Sequence, residues 1–84
     1  MSQQDSSLQA QNPISSAQNS VENAHNAVSH ALSHPTAQTE VEALNAIEQA
    51  NNALVQLNDQ SDRPEVQQAN EALDEEVNRL NNLQ

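Results

Sequence analysis

An all-α fold, a small antiparallel three-helix bundle, is what this sequence predicts, and three observations predict it. Large aliphatic residues and alanines recur at three- and four-residue steps in three separate stretches, the spacing that lines up one face of a helix. Ala, Leu, Glu and Gln, which favour helix, dominate those stretches. The chain of 84 residues has no Gly, so the tight primed turns of β-hairpins lack the residue they want.

Residues 1–12, MSQQDSSLQAQN, are rich in Ser and Gln and are read as a disordered tail. Residues 13–84 are read as the bundle. Asn12-Pro13 opens the first helix, expected over 13–33, with Asn as N-cap and Pro at the first helical position. Ile14, Ala17, Val21, Ala24, Val28 and Ala31 follow as alternating steps of three and four. His34-Pro35 closes the helix, because a residue before Pro avoids the α region. The connection is short, which favours antiparallel neighbours.

The second helix is expected over 38–58. Thr39-x-x-Glu42 fits a capping box, with Thr36 as an alternative cap. Its stripe is Ala43, Ile47, Ala50, Leu54 and Leu57, widened by Val41, Leu44, Ala46 and Ala53. Asn58 is the candidate for a left-handed terminal residue. Asn51 lies beside the apolar edge, where a buried Asn can fix register. The third helix is expected over 63–82, capped by Ser61 or Asp62, with Pro64 in its first turn. Its stripe is Val66, Ala69, Leu73, Val77 and Leu80, with Leu83 near the end. The alternative architecture is a hairpin of the first two helices that dimerises, the third crossing the partner. Similar strings such as QANNAL and QANEAL recur nineteen residues apart. That offset turns a helix by roughly 100°, so shared composition explains them better than repeats.

Function is bounded mostly by exclusion. The formal charge is −10, with twelve acidic residues against Arg63 and Arg79. Phosphate affinity comes from Lys and Arg, so nucleic acid and anionic membranes are not expected partners. A protein partner is, and a basic one suits the charge. No Cys is present for a disulfide, a thiol nucleophile or a zinc site. With no Lys and no Gly-flanked Ser, and no Gly for a phosphate loop, the chain is not expected to be an enzyme or to carry a cofactor. The first residues lack a signal-peptide pattern, so a cytoplasmic location is expected.

Three clusters carry possible chemistry. His30 and His34 are four apart, with His25 a turn back, and a divalent-metal module is the alternative function they raise. Their place near a helix C-terminus, where cationic His suits the dipole, accounts for them without a metal. Asp59, Ser61, Asp62 and Glu65 fail as a calcium loop, since Pro64 stands where Gly is needed. Glu71, Asp74, Glu75 and Glu76 read as a solvated face of the third helix. Val77, Leu80 and Leu83 are the candidate interaction face of a small acidic non-catalytic protein, monomeric or homodimeric. A structural or stress-related acidic protein with no discrete ligand is the third reading.

The patterns AHNAVSHAL and EALNAIEQANNAL, within Pro13 to Leu57, resemble helical-hairpin proteins of Gram-positive bacteria and Ala-rich bundle modules of bacterial surface proteins. The resemblance implies a bacterial helical hairpin and transfers no functional residue.

Overall fold

The computed structural model of the chain describes residues 13–83. The expected tail, 1–12, and the cap Asn12 lie outside the described residues. Three helices form: α1, Pro13–Ser33; α2, Ala37–Val55; and α3, Pro64–Leu83. A short 3-10 turn, Asn58–Gln60, sits between α2 and α3.

The pairing of residues sets the topology. Ala17, Val21 and Ala24 of α1 share one buried cluster with Ala50 and Leu54 of α2, Leu57 just beyond it, and Val66, Ala69 and Leu73 of α3. Val28 and Ala31 share a second with Ala43 of α2 and Leu80 of α3. The start of α1 thus meets the end of α2 and the start of α3. So α1 and α3 run parallel and α2 runs antiparallel to both, up-down-up. Ile47 bridges the two clusters from α2.

The α1–α2 contact is the most extensive. Ala24, Ala31, Ala43 and Ala50 in it are wholly buried. Alanine projects only a methyl group, so its stripes let two backbones approach closely, and the interface fills without large side chains. Bulk is supplied elsewhere, by Leu57, Leu80, Val28 and Val66.

The α1–α2 corner is tied by two threonines. Thr36 is the N-cap and Thr39 stands at the third helical position. The Thr39 N–H donates to Thr36 Oγ1 at 3.1 Å, and the Thr36 N–H donates to Thr39 Oγ1 at 2.9 Å. The Thr39 hydroxyl donates in turn to the His34 carbonyl at 2.7 Å, which links the end of α1 to the start of α2. The box expected from Thr39 to Glu42 is therefore displaced by one turn onto Thr36 and Thr39. Three consecutive bonds at a buried Thr39 outweigh an exposed Glu42.

Three further expectations are corrected. The second helix ends at Val55 rather than residue 58, and Asn58 is not left-handed: no described residue has positive φ. Right-handed turns continue instead, with Leu57 N–H bonded to the Leu54 carbonyl at 3.0 Å and Gln60 N–H to the Leu57 carbonyl at 2.8 Å. This satisfies the last carbonyls without the steric cost that a residue with a Cβ meets in the left-handed region. The first bonds of α3 run to the Arg63 carbonyl, at 3.1 Å from Val66 and 3.0 Å from Gln67, so Arg63 holds the cap position expected of Ser61 or Asp62. Asn51, Val41 and Leu44 face outward rather than flanking the core, the latter two 54% and 47% exposed. The helix stripe on α2 is narrow because its contacts with α1 are made by alanine.

Two outcomes check this packing. Leu57→Ala should lower unfolding free energy in urea by about 2–5 kcal/mol, through lost burial and the cavity left. Thr36→Ala should cost about 1 kcal/mol, because it leaves the Thr39 N–H without its side-chain partner.

Candidate interaction groove

Every turn of α3 buries a residue: Val66, Ala69, Leu73, Glu76 and Leu80 step by three and four. Four of the five are apolar. The other, Glu76, is a carboxylate whose side chain is only 6% exposed. It was expected on the solvated face, and Val77 in the stripe. The structure reverses the two, with Val77 half-buried beside it.

Burial of Glu76 is possible because α1 and α3 supply partners. His25 Nδ1 lies 2.8 Å from Glu76 Oε2, and Arg79 Nη1 donates to Glu76 Oε1 at 3.0 Å. A carboxylate only accepts, so Nδ1 carries the ring hydrogen and donates it. That nitrogen has no lone pair left for Arg79, and the 3.3 Å approach of Nη1 to it is proximity. Both carboxylate oxygens are occupied, and no described buried side-chain polar atom lacks a partner. The pair joins α1 to α3 across 51 residues of sequence. An uncompensated buried carboxylate would be costly, so this one fixes where α3 can sit along α1.

Beside the Glu76 pair lies an open groove of about 490 Å³, lined by α1 and α3. Val21, Ala69 and Ala72 form its apolar base, the first two buried. Exposed carboxylates stand over it, Glu22 from α1 and Glu65 and Glu75 from α3. No Lys or Arg lines it.

The predicted site residues fall elsewhere. Leu80 is 2% exposed in the core and Leu83 packs against the same cluster, so Val77, Leu80 and Leu83 do not form a free face. Leu80 and Leu83 close the bundle over Val28 and Ala31 of α1, and Val77 is half-buried. His30 and His34 stack edge to face, with ring centroids 5.4 Å apart on the exposed end of α1. His25 is turned away from them toward Glu76. Among the described residues no group of three His, Asp or Glu side chains could hold a metal ion. No helix there is long and apolar enough to cross a membrane. Sequence reading missed Glu76 and the groove. Counting strictly by heptads from Val66 would have put residue 76 in the stripe, whatever its charge.

Comparison with protein families, with curated proteins and with solved structures finds no match to this chain.

Burial separates neighbouring carboxylates in a way that stability measurements can read. Glu76→Ala should cost about 1–3 kcal/mol, since His25 and Arg79 lose their shared acceptor. Glu75→Ala, one residue earlier and exposed, should stay within about 0.5 kcal/mol of the parent. Equal losses at the two positions would contradict a structural Glu76.

Proposed function

We propose that this chain is a small, acidic, non-catalytic protein that works by binding another protein, with the α1–α3 groove as its contact face. The observation that carries this reading is the groove's composition: an apolar base with a rim of one sign of charge. Apolar surface at the base rewards a side chain that leaves water. Carboxylates at the rim steer a cationic partner and repel an anionic one. The formal charge of −10 acts the same way at longer range, and it works against a second copy of the chain. A bundle with no Cys needs no oxidising compartment, and the reading sets it in the cytoplasm.

Leu32, Val41, Leu44 and Val55 are the exposed large aliphatic residues among those described. They lack the groove's concavity and are the natural control. Ala72→Leu fills the groove with a good helix former. Leu44→Gln changes only the outer face of α2.

Captured partners from the source cell should be cationic, should survive Leu44→Gln, and should fall at least about tenfold with Ala72→Leu, equivalent to about 1.4 kcal/mol. Circular dichroism on both variants confirms that the fold is kept. Loss with Leu44→Gln and retention with Ala72→Leu would move the contact face to α2 and overturn the proposal.

A further inference from the structure

We infer that the groove is built for one amphipathic helix of a partner, cationic on its flanks and lying antiparallel to α1 and α3. This rests on the groove being the contact face, and it adds the occupant's secondary structure, chemistry and direction.

Secondary structure comes first. The described residues include no strand, so they present no strand edge to a bound peptide. An extended segment in the groove would leave its own N–H and C=O groups without backbone partners. A helix satisfies those groups internally and needs only an apolar stripe to dock. The groove runs from Gln18 and Glu65 at one end to His25 and Glu76 at the other. Along α3 that is about 16 Å, or about three turns. Ala69 and Ala72 at the base are small, so the larger side chains of the interface come from the partner.

Direction follows from the neighbours. Both flanking helices point the same way, and a third element between them sets its dipole against theirs only when antiparallel. The bundle then becomes up-down-up-down. The partner's positive N-terminal end falls beside Glu75 and Glu76. Its last turn falls beside Glu65, where Lys or Arg both answers that carboxylate and suits a helix C-terminus.

This chain does not supply such a helix itself. Arg79 is the one Lys or Arg inside its three helices, and Glu76 already holds it. A second copy brought into the groove would set carboxylates against carboxylates.

The test titrates the full ¹⁵N-labelled chain with a designed Leu/Lys amphipathic helix of roughly five turns, carrying a paramagnetic label at either end. Amide shifts are expected at Val21, Ala69 and Ala72. A label on the peptide N-terminus should broaden His25 and Glu76, and one on its C-terminus Gln18 and Glu65. Ala72→Leu should weaken binding at least about tenfold, and a peptide of the same composition in scrambled order should bind at least about tenfold more weakly. The reversed broadening pattern would overturn the antiparallel direction while leaving the groove as contact face. Shifts confined to Val41 and Leu44, equal binding of the scrambled peptide, or indifference to Ala72→Leu would overturn the inferred occupant and the contact face together.

Discussion

Close approach of α1 and α2 through alanine is the constraint on which the rest of this structure depends. The chain has no aromatic residue with which to fill a wide core. Ala24, Ala31, Ala43 and Ala50 instead bring two backbones near enough for backbone and methyl groups to exclude water. A narrow interface of that kind buries little area per residue, so α3 must add bulk from one side. It does so with Val66 and Leu73, against Leu57 from the α2–α3 connection, and with Leu80, against Val28 and Ala31. A connection built wholly of right-handed turns, in a chain with no Gly, delivers Leu57 into that space.

The groove is a consequence of the same economy. Where α3 meets α1 with Ala69 and Ala72, the residues are too small to close the gap between two parallel helices. Glu76 limits how far α3 can slide or roll to close it. Its carboxylate is bonded to His25 on one side and Arg79 on the other. The bond from His25 is the one that crosses between helices, and a buried carboxylate that lost it would be left short of a partner, so it constrains geometry. Polar specificity and an unfilled apolar trough therefore sit side by side. The proposed contact face rests on that combination.

Much of the secondary structure was legible in the residues. The steps Ala17, Val21, Ala24, Val28 and Ala31 mark the buried face of α1, and the structure buries all five. Pro13 and Pro64 open their helices, and Pro35 stops the first. The C-terminal end of α2 was less legible, because a helix can end by a left-handed residue or by tightening into 3-10 turns, and local residues alone do not decide between them. Glu76 was misread for another reason. A carboxylate in an apolar stripe is placed in water by its own chemistry, and only partners from distant sequence reverse that. Leu80 is buried as its place in the stripe predicts, so it and Leu83, which packs against the same cluster, are not free for the interaction face also expected of them.

By itself the sequence determined that this protein is helical, where its three helices lie, that its core is aliphatic, and that its exterior is strongly negative. These follow from local propensity, periodicity and charge, which need no knowledge of neighbours. The tertiary structure alone decided which edge of α3 faces α1, which acidic residue is buried, and that an apolar trough is left between two parallel helices. Those depend on contacts across some fifty residues, His25 with Glu76 above all. Such contacts are set by how rigid helices fit in space, and no stretch of neighbouring residues encodes that fit.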